Sequence, residues 1–439
     1  MFQSPSNERL LRFLEQSPTA WHATASMSER LEAAGFERLE ETDHWVLRPG
    51  GRYYCTRNDS ALIAFQLPEA APLALRIIGA HTDSPMLRIK REGVVQGRDW
   101  LQLGIEVYGG ALLAPWFDRD LGIAGRVHVR TREGRLASRL LNMDRAVAVI
   151  PSLAIHLDRE ANQGRAINAQ TQMAPILRQT TDKETPPSLE ELVGQWLRHQ
   201  QEADDFESVV DFELGFYDVQ PPAQTGLEGE LLSSARLDNL LSCFCGLEAL
   251  IASDHRQGAL LIANDHEEIG SGTASGAQGT FLGDVLGRLA EYDAGHDGPF
   301  EEHRVRLIQR SRLISCDNAH ARHPAWPDKH DAQHAPQLNG GPVIKVNSSQ
   351  RYATNSATGA LFRDICRQVD VPVQTFVSRA DMPCGSTIGP LTATTTGLPT
   401  LDIGLAQWAM HSIRETSGAA DPGYLIRALT AFCNREHLD

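Results

Sequence analysis

The sequence GALLIANDHEEIGSGTASG, residues 258–276, runs from an apolar segment directly into acidic residues. Five consecutive apolar residues bounded by glycine are typical of a buried strand. Glu267 and Glu268 follow this segment side by side and precede a Gly-Ser-Gly sequence. Adjacent carboxylates repel each other, and a solvated loop does not require them. The pair therefore indicates a chemical site at the end of a buried strand.

Bulk composition limits what this site can serve. The chain has 439 residues, more than one hydrophobic core usually organises, so we expect two domains or one domain with a large insertion. A net charge of −15 argues against nucleic acid and anionic membranes as partners, since both are polyanions. Seven scattered cysteines, no signal-peptide pattern and no apolar run of membrane-spanning length predict a soluble cytoplasmic protein.

Strands alternate with helices at both ends of the chain, but not in its middle. This alternation predicts an α/β fold with three layers, in which a mostly parallel sheet is covered by helices on both faces. The middle block, residues 92–232, is rich in short alternating segments and is predicted to be a β-rich insertion between residues 1–91 and 233–439. The clearest predicted strands are residues 53–57, 61–67, 73–80, 259–263, 312–316, 371–376 and 399–404, and the clearest helices are 21–35, 239–253, 357–369 and 424–436.

Acids and histidines follow the predicted core strands. In an open parallel sheet the carboxyl ends of the strands lie at one edge, where ligands bind. Side chains that follow different strands are therefore expected to meet there, and together they indicate a metal site. The residues concerned are His81 and Asp83, Asp265 to Glu268, Asp317 and His320, and the more distant His411, with Asp238 before a helix.

The types of ligand favour a hydrolytic metal centre. Two histidines and three carboxylates without cysteine suit Zn²⁺, Co²⁺ or Mn²⁺, and five side chains exceed the needs of one catalytic zinc. Two metals that share a bridging carboxylate fit better. Neighbouring residues of an extended turn point to opposite sides, so one glutamate can bind metal while the other takes a proton from a metal-activated water. Asp83 is expected to orient His81, whereas Asp238 could instead cap the helix that follows it.

Seven motifs together resemble the aspartyl aminopeptidase family of co-catalytic zinc exopeptidases. They are GAHTDSP, ARLDNL, NDHEEIGSG, CDNAHA, NSSQRYATN, PCGSTIGP and AMHSIRE, in the order of the family and across essentially the whole chain. The resemblance implies a metallopeptidase domain, residues 1–91 and 233–439, interrupted by a dimerisation and lid domain, residues 92–232. It also implies a zinc-dependent aminopeptidase that releases N-terminal Asp or Glu from peptides.

The resemblance further implies a role for each matching residue. It predicts two zinc ions per subunit, which Co or Mn could replace, and a cis peptide bond after the bridging aspartate, as in related two-metal exopeptidases. Asp238 would bridge the metals, His81 and Asp317 would complete one shell, Glu268 and His411 would complete the other, Glu267 would be the general base, and Asp83 would support His81.

The substrate residues follow from the same resemblance. Lys345 and Tyr352 would line the pocket for an acidic side chain, and His320 would contact the substrate near the metals. His156 lies in the inserted block and would contact the substrate carbonyl from the neighbouring subunit; alternatively it is a metal ligand. The resemblance implies a homodimer and a tetrahedral homododecamer that encloses its active sites and admits peptides.

Two other functions are compatible with parts of this pattern. A related two-metal amidohydrolase, such as a carboxypeptidase or deacylase, would need a group that holds the substrate carboxylate at the far side of the site. A catalytically inactive, self-assembling scaffold would be expected to lack a ligand or the base. The five predicted metal ligands and the predicted general base are all present in this sequence.

Overall fold

The computed structural model describes residues 2, 4–69, 72–96, 99–181, 187–201, 205–295 and 299–438. The chain divides into two compact units. Unit 1 comprises Met1–Asp83, Pro222–Met410 and Glu415–Asp439, and unit 2 comprises Ser84–Pro221 with His411–Arg414. The sequence-based boundaries were residues 92 and 232. Residues 84–91 belong to unit 2, because a long strand of that unit already begins at Met86. Residues 222–232 belong to unit 1, and His411–Arg414, predicted in the catalytic domain, belong to unit 2.

The described residues contain ten α-helices. The first of them buries Leu10, Phe13 and Leu14, which have the spacing of one helical face. The helices are α1 (Pro5–Gln16), α2 (Ala20–Ala33), α3 (Ala169–Gln172), α4 (Leu189–Gln201), α5 (Leu237–Ala252), α6 (Phe281–Ala294), α7 (Phe300–Arg310), α8 (Ser356–Gln368), α9 (Ile388–Thr396) and α10 (Asp421–Cys433).

A nine-stranded mixed sheet forms the centre of unit 1. Its strands, in spatial order, are β1 (Glu37–Arg38), β2 (Arg52–Arg57), β3 (Ala61–Gln66), β13 (Gly258–Asn264), β4 (Leu75–His81), β14 (Arg312–Cys316), β18 (Thr400–Gly404), β16 (Val343–Val346) and β17 (Gln374–Val377).

The four central strands of this sheet, β13, β4, β14 and β18, run parallel. Their carboxyl ends therefore lie at the same edge, where β4 ends at His81 and β14 ends one residue before Asp317. Two neighbouring strands pair differently: the predicted strand β3 is antiparallel to β13, and β16, which was not among the predicted strands, is antiparallel to β18. The sheet remains mostly parallel, as predicted.

Helices cover both faces of the nine-stranded sheet. Successive strand residues point to opposite faces, and accordingly Ile77 belongs to one hydrophobic core and Ile78 to another. The core around Ile78 includes residues of α1, α2, α5, α8 and α10, whereas the core around Ile77 includes residues of α6 and α7. This arrangement gives the predicted three layers.

A second, five-stranded sheet also belongs to unit 1. It contains, in spatial order, β11 (Ala223–Thr225), β12 (Leu231–Ser234), β20 (Glu415–Gly418), β19 (Ala406–Trp408) and β15 (Ala319–His320). Along the chain, β15 begins within three residues of the end of β14, and β19 begins within three residues of the end of β18. The parallel pairing of β15 with β19 therefore continues the parallel pairing of β14 with β18.

Unit 2 is built on a six-stranded antiparallel sheet. A single hydrophobic core combines strand residues such as Val127 and Phe216 with Val193 and Leu197 of α4. Its strands, in spatial order, are β8 (Leu136–Asn142), β7 (Leu121–Thr131), β10 (Phe206–Asp218), β5 (Met86–Gln96), β6 (Trp100–Tyr108) and β9 (Ile176–Gln179). An α/β domain interrupted by a β-rich domain is the fold class expected from the sequence. Within the described residues, the helices are all too short or too polar to cross a membrane.

Candidate metal centre

The strand β4 delivers His81 and Asp83 to the edge of the sheet. Both side chains are buried. The His81 ring Nδ1 lies 3.1 Å from the Asp83 carbonyl oxygen and 3.3 Å from its Oδ1. These contacts fix the orientation of the ring, so that Nε2 is the nitrogen directed toward the other acids. Asp83 therefore makes the contact with His81 that was expected of it.

Three carboxylates surround His81 Nε2. Asp238 Oδ1 lies 3.6 Å away, Asp317 Oδ1 3.7 Å and Glu267 Oε2 3.9 Å. Burial disfavours the charged form of this ring, but the carboxylates of Asp238, Asp317 and Asp83 raise the pKa of His81 well above its ordinary value. His81 is thus the centre of a strongly negative group of side chains.

A further set of ligand atoms converges at the same place. His81, Asp238 and Glu268 each offer an atom, and these atoms all lie within 4.8 Å of one another. This donor set combines a histidine nitrogen with carboxylate oxygens and contains no sulfur, which suits zinc and similar divalent ions. The residues brought together here are three of the five predicted ligands. Asp317 approaches the same His81 nitrogen through its own carboxylate.

Glu267 and Glu268 lie in a short 3₁₀ turn, Glu267–Ile269, and not in the extended turn that we expected. His266 before the turn has a left-handed backbone with φ of 61°, which reverses the chain after β13. The carboxylate of Asp83 then accepts the backbone N–H of Glu267 at 3.0 Å and that of Glu268 at 3.1 Å. One buried acid therefore fixes His81 and both glutamates.

The two glutamates differ in acidity although they are neighbours. Burial raises the pKa of Glu267 to about 7, while the charge on His81 opposes the rise. Burial and the adjacent Asp238 raise the pKa of Glu268 to about 10. Both shifts reflect negative charge gathered in a region with little water. A divalent cation would neutralise that charge, so these residues fit a metal site.

Asp238 enters the site from the start of α5. Arg236, the residue before that helix, has a left-handed conformation and makes no side-chain cap hydrogen bond, and Asp238 and Asn239 in its first turn have non-helical angles. The peptide bond between Asp238 and Asn239 is cis, as predicted.

Glu415 is a residue of this site that the sequence reasoning did not identify. It is buried on β20, and its Oε2 accepts the backbone N–H of Asp238 at 2.9 Å. Asn239 donates its side-chain N–H to the Cys316 carbonyl oxygen at 2.8 Å and thereby ties α5 to β14. The available signal was its position as the last residue of the motif AMHSIRE, at the start of a strand.

Lys345 lies beside the acidic group. It is buried on β16, and its Nζ is 3.6 Å from Asp317 Oδ2 and 5.4 Å from the centre of the Tyr352 ring. Phe376 packs at the edge of Tyr352, and burial raises the Tyr352 pKa well above its usual range. His320 is exposed and packs at the edge of the same Phe376, at 6.2 Å between ring centres. Lys345, Tyr352 and His320 thus belong to one neighbourhood.

Two predicted site residues belong to unit 2. His411 has a left-handed backbone with φ of 66°, and its ring Nδ1 lies 3.2 Å from the Gly110 carbonyl oxygen. Leu112 donates its backbone N–H to the His411 carbonyl oxygen at 3.0 Å. His156 is exposed in a turn of that unit. Their roles toward metal and substrate stay predictions.

Comparison with known proteins gives consistent matches along the chain. Residues 13–433 match the model of the family described as "Aminopeptidase I zinc metalloprotease (M18)". The chain is 54% identical over 428 residues to the "Probable M18 family aminopeptidase 2" of Azotobacter vinelandii, with 97% of each chain covered. Another relative, of the same description, from Pseudomonas putida strain GB-1, is 52% identical and covers 98% of this chain and 99% of its own.

Solved structures give the same result. The structure of the Ape4 and Nbr1 complex matches with a TM-score of 0.92 at 37% identity, covering 97% of this chain and 85% of that one. The mApe1 dodecamer of S. cerevisiae matches with a TM-score of 0.83 at 27% identity, covering 97% of this chain and 95% of that one. The similarity therefore includes both units and is not limited to the motifs around the candidate metal centre.

Proposed function

The chain belongs to the M18 family of zinc metallo-aminopeptidases, and we propose that it releases single acidic residues, Asp or Glu, from the N-termini of peptides. The observation that carries this preference is the buried Lys345 ammonium, 3.6 Å from Asp317 and next to Tyr352. A buried cation beside the reacting centre would bind the side-chain carboxylate of an acidic substrate residue. An apolar substrate side chain would leave the Lys345 ammonium without this partner.

We propose that two divalent metals, zinc by family membership with Co or Mn as substitutes, bind to five side chains. Asp238 would contact both metals, because it offers a ligand atom close to those of both His81 and Glu268. When bound, such ions polarise a scissile carbonyl and lower the pKa of water to near neutrality. The set is His81 and Asp317 for one metal, Glu268 and His411 for the other, and Asp238 for both.

Glu267 is proposed as the general base. Its Oε2 lies 3.9 Å from His81 Nε2, next to the proposed metal ligands, and a carboxylate in that position can accept a proton from water. It would take the proton of the attacking water and deliver it to the leaving amine. Asp83 would support this role, because it holds the backbone of Glu267 and the ring of His81 at the same time.

The remaining substrate contacts are assigned by motif and location. His320, exposed next to Phe376, would contact the peptide near Lys345. His156, exposed in unit 2, would donate to the substrate carbonyl from a neighbouring subunit, with a metal-ligand role as the alternative. Unit 2 would then serve as a dimerisation and lid domain.

We further propose that the chain self-associates through homodimers into a tetrahedral homododecamer. A relative with a TM-score of 0.83 over 97% of this chain is a dodecamer, which supports the proposal. An enclosed assembly would admit peptides and exclude folded proteins. Sedimentation velocity tests the stoichiometry. The seven free cysteines support a cytoplasmic location, where thiols stay reduced.

The test of the specificity is turnover of Asp-, Glu-, Ala- and Leu-arylamides by metal-free protein reconstituted with zinc, cobalt or manganese. We expect kcat/KM for the Asp or Glu substrate to exceed that for Ala and Leu by at least about tenfold, since an unpaired buried charge costs about 2–5 kcal/mol. Equal kcat/KM on all four substrates would contradict the acidic preference.

End-blocked peptides separate the proposal from the alternative amidohydrolases. We expect release of Asp from Asp-Ala-Ala amide and no cleavage of acetyl-Ala-Ala-Asp. The opposite result would indicate a carboxypeptidase, and failure to cleave either peptide with both metals bound would favour an inactive scaffold. Membership of the zinc aminopeptidase family favours the first outcome.

A further inference from the structure

Asp402 is a buried carboxylate that none of the roles above uses. It lies in the middle of β18, a strand whose residues are all buried, and is itself fully buried. Burying a carboxylate is costly unless hydrogen bonds and an opposite charge compensate for it. The partners that compensate for it therefore indicate its role.

Two hydrogen bonds connect Asp402 to two separate motifs. Its Oδ2 accepts the backbone N–H of Ala353 at 2.7 Å, and its Oδ1 accepts the Thr387 hydroxyl at 2.7 Å. Thr354 adds a second connection, because its hydroxyl accepts the Asp402 backbone N–H at 3.0 Å. Ala353 and Thr354 directly follow Tyr352, so the carboxylate and backbone of Asp402 hold the segment that carries this ring.

The opposite charge comes from Lys345. Strand β16 is antiparallel to β18 with Val343 opposite Gly404 and Ile344 opposite Ile403, so the next step of this register places Lys345 opposite Asp402. Residues directly opposite in an antiparallel pair have side chains on the same face. Burial raises the pKa of the Asp402 carboxyl, and the hydrogen bonds from Thr387 and Ala353 and, to a smaller extent, the charge on Lys345 oppose this rise.

The first turn of α9 closes the remaining side. A Cβ on Gly389 would collide with the carboxylate oxygens of Asp402, so the helix approaches this acid as closely as glycine allows. Asp402 is thus bounded by α9, by the Tyr352 segment and by the strand of Lys345. The ion pair of Lys345 is with Asp317, a predicted metal ligand, whereas the hydrogen bonds of Asp402 go to the Tyr352 segment and to Thr387.

From these contacts we infer that Asp402 is a positioning residue of the pocket for acidic side chains: it anchors the Tyr352 segment beside the strand of Lys345, in the arrangement that selects Asp or Glu. It does not touch the substrate and acts through Lys345 and Tyr352. This inference rests on the acidic preference proposed above.

The test compares Asp402→Asn with Asp421→Asn. Asp421 is a matched control, because it is also fully buried and also accepts two hydrogen bonds, at 2.7 Å from Asn339 N and 2.8 Å from Gly341 N. For Asp402→Asn we expect the ratio of kcat/KM on Asp-arylamide to that on Leu-arylamide to fall at least about tenfold, through KM for the Asp substrate. We expect unchanged zinc content, unchanged kcat on the Leu substrate and, by calorimetry, weaker binding of free L-aspartate. Asp421→Asn should leave the ratio unchanged.

A ratio unchanged in Asp402→Asn, or a loss of equal size on both substrates, would overturn the inference and leave the acidic preference of the wild-type protein standing. A wild-type protein without acidic preference would overturn both. Thr387→Val is the second variant in case Asp402→Asn does not fold, since it removes one hydrogen bond and keeps the charge. We expect it to lower the same ratio by a smaller factor, and an unchanged ratio would again contradict the role of Asp402.

Discussion

At the scale of single residues, neighbouring acids of similar chemistry have different surroundings. Glu267 and Glu268 share a turn and a common anchor in Asp83, and burial is the main cause that raises the pKa of each. Among the surrounding charges, Asp238 has the largest effect on the pKa of Glu268 and His81 on that of Glu267. The differences arise from distances of a few ångströms within a buried group. Substitutions that change one charge at a time therefore give separable outcomes.

Glu267→Gln and Glu268→Gln are expected to fail in different ways. Glutamine at 267 cannot accept a proton, so we expect full metal content with turnover lowered by about two to four orders of magnitude. Glutamine at 268 should lower the occupancy of one metal. Elemental analysis measures the metal content of the two variants, and hydrolysis of Asp-arylamide measures their turnover. Near-normal activity of metal-loaded Glu267→Gln would remove Glu267 from the role of base.

Asp421 gives a pH dependence of stability that is independent of the candidate metal centre. Burial raises its pKa from 3.8 to about 7. The folded protein therefore binds this proton more tightly than the unfolded chain does. Its stabilising contribution is fully present below about pH 4 and is lost as pH rises through 7, with a limiting slope of about 1.4 kcal/mol per pH unit.

The measurement is thermal unfolding between pH 4.5 and 7.5 at constant metal concentration. We expect the midpoint of the wild-type protein to fall relative to that of Asp421→Asn as pH rises, since the amide does not titrate. Other titrating groups contribute equally to both proteins and cancel in the difference. Parallel curves over the whole range would show that Asp421 is ionised in the folded state throughout.

At the scale of secondary-structure elements, close approaches between strands and loops decide where glycine is required. Strand β18 ends at Gly404, and a Cβ there would collide with the carbonyl oxygen of Asp317. The same backbone contact includes the hydrogen bond from Asp317 N to Ile403 O, at 2.9 Å. The position of a predicted metal ligand thus depends on how closely two elements pack.

Gly404→Ala and Gly423→Ala form a matched pair for this argument. A methyl group at 404 should displace Asp317, lower the free energy of unfolding by about 1–3 kcal/mol and reduce metal content. Gly423 lies in α10 with nothing within 4 Å of an added Cβ, so alanine there should stabilise the helix by about 0.4–1 kcal/mol. Denaturant unfolding and elemental analysis measure both variants, and equal effects at the two positions would contradict the packing argument.

At the scale of the whole molecule, the cysteines report how completely the cores exclude water. All seven lie within described residues and are free, and six of them are buried. Burial raises the pKa of Cys243 to about 12, which leaves almost no thiolate for reaction near neutral pH. Cys384 differs because it is half-buried, next to the Tyr352 neighbourhood.

We therefore expect one thiol per chain to react rapidly with a thiol reagent in the native protein, and seven to react in denaturant. Mass spectrometry should place the rapid modification on Cys384, and Cys384→Ser should abolish it without changing thermal stability appreciably. Rapid native labelling of two or more thiols would show that a core opens on the time scale of the reaction.

The amino-acid sequence by itself determined the elements whose signals are local. The predicted strand 312–316 coincides with β14, and the predicted helix 357–369 differs from α8 by one residue at each end, because apolar periodicity and capping act within a few residues. The convergence of His81, Asp238 and Glu268 was also predictable, since parallel strands end at one edge.

Only the tertiary structure decided which elements became neighbours. The antiparallel placement of β16 beside β18, the 3₁₀ turn of Glu267 and the hydrogen bond from Asp238 to Glu415 all depend on partners more than fifty residues away in the chain. The role of Asp402 also depends on packing, at shorter separations along the chain, because one acid in a buried strand has no assignable role until its hydrogen-bond donors are known. Local sequence fixes the conformation of a segment, whereas the choice of partners is made by burial and hydrogen bonding across the whole chain.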